Sequence, residues 1–316
     1  MVKIAVAGGS GNVAQEIIDV LVATGRHEIL ILSRKDIPTE STPGITWIKA
    51  NYEDTESLTQ ILQGVHTVLS FVSEQESQSS PFQKNLIDAA IKAGVKRFAP
   101  SEWATSGTQQ LSWYAYKKYI RGYLEEVNKK GKVLEYTLFQ PGLFVNYFTR
   151  PYKSTKHIHQ MEIMIDFENR RAIIIDGSED AKITLTAVQD LANVVSKAID
   201  YEGEWPVVGG IHGTTISIGD FIKLGEKVRG GPFTVEKVTK EEFEKGDWET
   251  SWVPRIDHPS IPVDQVDIFS RVGVAGILLG ISAGAFKVSD AWNRLLPDYE
   301  FVQAQGFLEE AWEGKP

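Results

Sequence analysis

The chain has no cysteine among its 316 residues. That excludes disulfides, thiolate metal sites and cysteine nucleophiles together. Positive charge is also scarce: 33 Lys and Arg stand against 42 Asp and Glu, for a net charge of −9. No nucleic-acid partner is expected from that balance. Long apolar runs are missing as well. The most apolar late stretch, Val272 to Phe286, is interrupted by Gly273, Gly276, Gly280 and Gly284. It is too short and too glycine-rich to predict a membrane span. The first apolar run starts at Val2, which leaves no room for a leader, so a cytoplasmic protein is expected. Metal-binding clusters are thin. His157 and His159 alternate along a possible strand, but no third ligand is spaced nearby, so no metal is expected. Neither an internal repeat nor a low-complexity tract is found.

What is present suits a full core: 42% of residues are hydrophobic and 24% charged. The most informative stretch comes first. Val2 to Ala7 is a short apolar run with β-branched residues, which predicts a buried strand. Gly8-Gly9-Ser10-Gly11-Asn12-Val13-Ala14 follows at once. Val13, Ile17, Ile18, Val20 and Leu21 then fall at helical spacing, Thr24-Gly25 ends the helix, and Glu28 to Leu32 reads as a second strand. This is a βαβ unit. Gly8 permits the tight turn, Gly11 lets a pyrophosphate approach the backbone, and Ala14 takes the third small position. The helix N-terminus presents free N–H groups to phosphate. Gly8, Ser10, Gly11, Asn12 and Val13 are therefore candidate cofactor contacts. The second strand runs into Ser33-Arg34-Lys35. A free ribose 2′-hydroxyl is met by Asp or Glu at this place, whereas a 2′-phosphate needs cations. Arg34 and Lys35 argue for NADP(H), and Asp36 lies too far along the loop to reverse that.

Strands at Ile45 to Ile48, Thr67 to Val72 and Val95 to Ala99 alternate with helices at Thr55 to Leu62 and Pro81 to Ala93. The loop Ser73 to Ser80 is polar. Such alternation predicts an α/β fold with a Rossmann-type, doubly wound parallel sheet. Ligands then bind at the carboxyl ends of the strands. Ser112 to Asn128 is helical in pattern, and Leu134 to Gln140 reads as a sixth strand. Ile163 to Ile165 and Ala172 to Ile175 look like a hairpin. A helix within Thr186 to Asp200, with Thr186 as its N-cap, is expected to return to the sheet domain. Residues 1–150 are read as the NADP(H)-binding domain, and 151–316 mainly as a smaller, interleaved α+β substrate lobe.

Two lysines, Lys117 and Lys118, lie on the helix after Pro100-Ser101-Glu102-Trp103. A lysine beside a cofactor cleft can hold a ribose or stabilise a forming oxyanion. Gly8 to Ala14, Arg34, Val95-Lys96-Arg97-Phe98 running into Pro100-Ser101-Glu102, Lys117 four residues before Arg121, and Tyr136-Thr137 leading to Phe144-Val145-Asn146-Tyr147-Phe148 together carry a resemblance. The chain resembles the NmrA-like and isoflavone-reductase-like group of atypical short-chain dehydrogenase/reductases. The resemblance covers residues 1 to about 200. It implies a Rossmann-type domain, NADPH, and reduction of aromatic or phenylpropanoid-like small molecules. It selects Lys117 as the catalytic lysine, with Ser101 beside it and Phe144 among the cofactor contacts. Tyr114 with Lys118 has the spacing of ordinary short-chain dehydrogenases and is the rival pair.

Where the group often has Phe-Gly, this chain has Trp103-Ala104, which should reshape the substrate pocket. Trp103, Tyr147 and Phe148 are expected to wall that pocket, with Trp113, Phe144 and Trp252 as further aromatic candidates. A small aromatic substrate and a monomer or homodimer are expected. An NADP(H)-sensing regulator without turnover is the alternative, as is a non-redox isomerase or cyclase on the same fold.

Overall fold

A computed structural model describes residues 1–38, 42–74, 77, 79–259 and 261–316. Gln75, Glu76 and Gln78 of the predicted polar loop lie outside the described residues. In chain order the elements begin β1 (Lys3–Ala7), α1 (Asn12–Thr24), β2 (Glu28–Ser33), β3 (Ile45–Lys49), α2 (Thr55–Ile61), β4 (Thr67–Ser70) and α3 (Pro81–Lys92). They continue β5 (Arg97–Ala99), α4 (Ala115–Asn128), β6 (Glu135–Tyr136), β7 (Leu138–Gln140), β8 (Leu143–Phe144), β9 (Ile165–Asp166), β10 (Arg171–Ile175), β11 (Lys182–Thr186) and α5 (Val188–Asp200). The last are β12 (Val208–Gly210), β13 (Thr214–Ser217), α6 (Ile218–Arg229), β14 (Thr234–Val238), α7 (Lys240–Lys245), α8 (Val266–Ser282), α9 (Ala291–Leu295) and α10 (Ala304–Trp312). The chain forms two compact units.

The first unit comprises Met1–Trp103, Trp113–Gln140 and Leu191–Gly210. Its sheet runs β3-β2-β1-β4-β5-β6, with every neighbouring pair parallel. This is the Rossmann-type order. Ile4 to Ala7 have no accessible surface, because helices cover both faces of a parallel sheet. The strand order reverses between β1 and β4, and sheets of this kind bind ligands at that point, outside the carboxyl ends. Gly8 makes the exit from β1 at φ +75°, and a Cβ there would sit 3.0 Å from the Phe71 backbone carbon. Only glycine meets both conditions.

The predicted strand Leu134 to Gln140 divides into two. β6 completes the six-stranded sheet, while β7 pairs in parallel with β12. Between them the Thr137 hydroxyl donates to the Pro206 carbonyl at 2.5 Å, and Leu138 N–H to Val207 at 2.8 Å. The partner strand β12 is distant in sequence, so nothing local in Leu134 to Gln140 reveals the break.

The second unit comprises Ala104–Ser112, Pro141–Asp190 and Ile211–Pro316. It holds two three-stranded sheets, β14-β10-β9 and β13-β11-β8. The predicted hairpin is present as antiparallel β9 and β10, with β14 added in parallel. Thr186 is not a helix cap. It ends β11, and its hydroxyl donates to the Ile211 carbonyl at 3.0 Å. The Asn146 side chain accepts the Val188 N–H at the start of α5 instead, at 2.9 Å. His157 and His159 lie on no strand; the His159 ring pairs with Asp257 at 3.3 Å. Among the described residues one helical stretch, Val263–Ser282, is long and apolar enough to cross a membrane, with 56% of its most apolar window buried inside the protein. The glycine-broken run thus reads differently in three dimensions: α8 packs on β10, β11 and α7 as a core helix does.

Candidate active site

The first part of the site lies at the carboxyl ends of β1 and β2. Gly11 caps α1 without any side-chain hydrogen bond, so the first turn of the helix keeps its main-chain donors facing outward. A Cβ at Gly11 would meet only the Gly8 carbonyl oxygen, at 3.4 Å, so the space beside it is open. Ser10 is exposed, and Asn12 and Val13 are half-buried. The Gln15 amide holds the Gly9 carbonyl and fixes the turn. Gly9 is the tightly packed glycine: a Cβ there would come within 2.7 Å of Ile31. At the end of β2, Lys35 N–H donates to the Ser33 hydroxyl at 3.0 Å, and the turn carries Arg34 and Lys35 outward. The Arg34 guanidinium stands 5.6 Å from the centroid of Phe82. Neither cation forms an ion pair among the described residues. Asp36 is engaged elsewhere, with Lys49 at 2.7 Å, and that ammonium holds its carboxyl below the usual carboxylate range. An open helix N-terminus beside two exposed cations fits a phosphorylated dinucleotide.

The second part is built where β5 ends. Ser101, Glu102 and Trp103 leave the strand, and three side chains from two helices fasten the first two. From α3, the Gln83 side-chain oxygen accepts the Ser101 N–H at 2.6 Å. From α4, Arg121 donates twice to the Glu102 carboxylate, at 2.9 and 2.6 Å. Lys117 donates from Nζ to the Glu102 carbonyl at 2.5 Å. Glu102 is 1% exposed, so its charge is buried with a bidentate partner.

Lys117 is 3% exposed, and its Nζ stands 3.5 Å from the centroid of the Tyr114 ring. Burial pulls its ammonium down to about 7, with the nearby Glu102 carboxylate acting against the fall. The ring face also favours the cation. Lys118 is exposed. Tyr114 thus sits beneath Lys117, not in an acid pair with Lys118.

Trp103 is not an open pocket wall. Its indole stacks between Phe71, with centroids 4.3 Å apart, and Phe139, at 5.4 Å. Its N–H donates to the Ser70 carbonyl at 2.7 Å. Both ring faces are covered, and the residue holds φ +44°, so it shapes the turn after Glu102. Phe148 is likewise core: it is 2% exposed, packed on Phe221 at 4.6 Å, and lies in the second unit. Phe144 is buried, and Tyr147 half-buried; their rings stand 6.1 Å apart in the same unit. Burial pushes the Tyr147 hydroxyl up to about 12. Trp252 is buried under the Arg171 guanidinium, which lies 3.9 Å from its centroid. Trp113 is half-buried, edge-on to Tyr114. Among the described residues no group of three His, Asp or Glu could hold a metal.

Sequence reasoning missed Gln83, the double use of Glu102, and Tyr116. The signal for Tyr116 was available. Tyr116, Ile120 and Leu124 recur at i, i+4 and i+8, all on the buried face of α4. Arg97, quoted above only as part of a motif, clamps the end of α5. It donates to the carbonyls of Tyr201 and Gly203 at 2.8 Å each, and pairs with Glu135 at 2.8 Å.

A Rossmann-type unit with an open phosphate-facing helix end after β1 and a buried lysine at the end of β5 is a dinucleotide-binding protein of the dehydrogenase/reductase kind. Residues 2–252 match the NmrA-like family, and the chain belongs to that family. It is 29% identical to Oxidoreductase BOA1 of Botryotinia fuckeliana (strain B05.10), over 73% of this chain and 77% of that one. It is 26% identical to Isoflavone reductase homolog P3 of Arabidopsis thaliana, over 97% of each. Among solved structures, AtPrR2 with NADP+ and (+)pinoresinol superposes with a TM-score of 0.68 at 17% identity, covering 98% of both chains.

Proposed function

We propose that this chain is an NADPH-dependent reductase of an aromatic or conjugated small molecule. The observation that carries the proposal is Lys117: an amine sealed from solvent at the end of β5, in the unit whose β2 end bears the exposed pair Arg34 and Lys35. The oxidoreductase name of the fungal relative supports the reaction class, and the NADP+ and (+)pinoresinol of the structural neighbour support cofactor and substrate class.

When bound, the nicotinamide supplies a hydride. The chain's own residues do the rest. Gly8 to Val13 hold the pyrophosphate, and Arg34 and Lys35 hold the 2′-phosphate. Gln83 fixes the Ser101 main chain, and Ser101 is the hydroxyl proposed to act beside Lys117. Lys117 stabilises negative charge that develops on the substrate oxygen, and burial makes that charge–charge contact stronger than it would be in water.

The test is NADPH consumption at 340 nm against a panel of quinones and aryl enones. Turnover of at least one conjugated acceptor is expected. A panel without any turnover, in a protein that still binds NADPH, would favour a cofactor-sensing regulator. One feature suits that second role: Nζ of Lys117 is already engaged by the Glu102 carbonyl, as a purely structural lysine would be.

A further inference from the structure

The reductase reading uses only the carboxyl ends of the strands. A separate cavity of about 720 Å³ opens at the amino ends of β4, β5 and β6, wholly within the first unit. That is the size of a small-molecule site. The turn that enters β5 builds one side of it. There the N–H groups of Lys96 and Arg97 both donate to the His66 carbonyl, at 3.0 and 3.1 Å. The end of α5 builds the other side, and Arg97 ties the two together. Its guanidinium donates to the carbonyls of Tyr201 and Gly203, the residues on either side of Glu202. Lys96 and Glu202 are thus carried on stretches of main chain held one arginine side chain apart, and both line the cavity.

The other charges of the lining are already matched. Glu135 accepts from Arg97 at 2.8 Å and pairs with Lys132 at 2.7 Å. Asp200 is matched by Arg26 at 2.7 Å. Among the described residues, the Lys96 ammonium and the Glu202 carboxylate pair with nothing, including each other. The half-buried His66 ring has its Nδ1 taken by the Thr67 hydroxyl at 2.8 Å, which leaves Nε2 for a ligand. Val2, Ile91 and Val133 give the same cavity aliphatic surface.

We propose that this cavity binds a small aliphatic zwitterion, an amino acid or a short peptide, whose carboxylate meets Lys96 and His66 and whose ammonium meets Glu202. A simple anion would leave the Glu202 charge unmatched, and a simple amine would leave Lys96. The binding needs no redox chemistry and stands whether or not the chain is a reductase. It also has a spectroscopic signature. Burial holds the His66 imidazole below its ordinary value of 6.5, with the charges of Arg97, Lys96 and His27 acting the same way and Glu135 against them. A carboxylate at Nε2 favours the protonated ring and moves it back up.

The test is NMR of the histidine-labelled protein saturated with NADP+, so that the cofactor site is filled. His66→Gln identifies the His66 signal among the six histidines. L-Leucine or L-leucyl-L-leucine should shift that signal saturably and raise the pKa it reports. The tighter of the two says whether the site is made for a free amino acid or a peptide. 3-Methylbutylamine, which lacks the carboxylate, and 4-methylpentanoate, which lacks the ammonium, should each bind about fivefold more weakly, the scale of one exposed ion pair. Lys96→Met should weaken the zwitterion by a similar factor and leave the amine alone. Glu202→Gln should weaken the zwitterion and leave the acid alone. Both positions are exposed, so neither change disturbs the core. A His66 signal that neither zwitterion moves at tens of millimolar overturns the site. Either single-charge analogue binding as tightly as the zwitterion overturns the proposed ligand class. Both results leave the reductase reading to its own assay of NADPH consumption.

Discussion

The two units of this chain are built on opposite plans. The first is built on a six-stranded parallel sheet whose central strands are buried and whose chemistry sits in the turns at the strand ends. Ile4 to Ala7 are sealed, yet Gly8 to Val13 follow at once with an open helix terminus. The second has strands of two to five residues and a core of rings. Phe148 packs tilted on Phe167 and edge to face on Phe221, Phe167 stacks on Trp312, and the Trp312 indole donates to the Phe148 carbonyl at 2.9 Å. Those residues come from far-separated points of the chain. In the first unit, function is local in sequence and stability is spread over the sheet. In the second, stability is concentrated in a few aromatic contacts.

The sharpest way to break that contrast is Phe148→Ala. Removing a fully packed ring leaves a cavity, and about 3–5 kcal/mol of stability should go. Urea unfolding followed by tryptophan fluorescence measures it. NADPH affinity below the unfolding range should be unchanged. A loss under about 1 kcal/mol would mean that Phe148 lines an open pocket after all, as its sequence context suggests.

The converse holds for Lys117→Ala. Losing one group that stabilises charge only in the transition state costs about 10²–10³ in kcat. NADPH affinity should change by less than about threefold, because the phosphate contacts are elsewhere. Lys118→Ala, at an exposed position, is the control and should leave kcat nearly untouched. Should Lys118→Ala abolish turnover while Lys117→Ala does not, the Tyr114–Lys118 pair becomes the acid/base couple despite the burial pattern of α4.

Cofactor choice is the next smaller effect. A charge-assisted contact from Arg34 to a 2′-phosphate is worth about 1.5–3 kcal/mol, tenfold or more in affinity. Arg34→Ala should weaken NADPH by that factor and leave NADH alone, as read by fluorescence titration of both. Equal losses for the two cofactors would move Arg34 from the phosphate to the Phe82 ring it overlies.

How much of this could be read from the residues follows the same division. The β-α alternation to Ala99 was legible because each buried strand is a continuous apolar run and each helix repeats every three to four residues. The phosphate turn and the cationic β2 end were legible because their parts are adjacent in sequence. What escaped is what depends on distant partners. Thr186 looked like a helix cap, but Asn146, 42 residues before Val188, supplies that acceptor. Trp103 looked like a pocket wall because nothing local reveals that Phe71 and Phe139 cover its faces. Glu102 was legible as a motif letter and not as a post that holds both Arg121 and Lys117. Such roles are properties of packing, which periodicity does not encode.

The smallest expected effect concerns pH, and it tests whether the buried lysine of the first unit works as a cation. Lys117 has its folded pKa pulled down to about 7, mainly by burial, from an ordinary lysine value of 10.5. Two opposite slopes follow. For activity, the ammonium is the useful form, so kcat/KM should fall as pH rises through 7. Half the enzyme carries the charge at pH 7 and about a tenth at pH 8, a loss of roughly fivefold from one titrating group. For stability the sign reverses. Between about 7 and 10.5 the unfolded chain binds the proton that the folded chain has shed, so this residue's contribution to stability rises with pH across that window. Lys117→Met removes both slopes. It should be more stable than the parent near pH 6, where the parent buries an ammonium, and the advantage should shrink toward pH 10. Activity flat from pH 6 to 9, together with a stability difference that does not move, would mean that Lys117 keeps its proton throughout. Its contacts with the Glu102 carbonyl and the Tyr114 ring would then outweigh the burial that pulls its proton away.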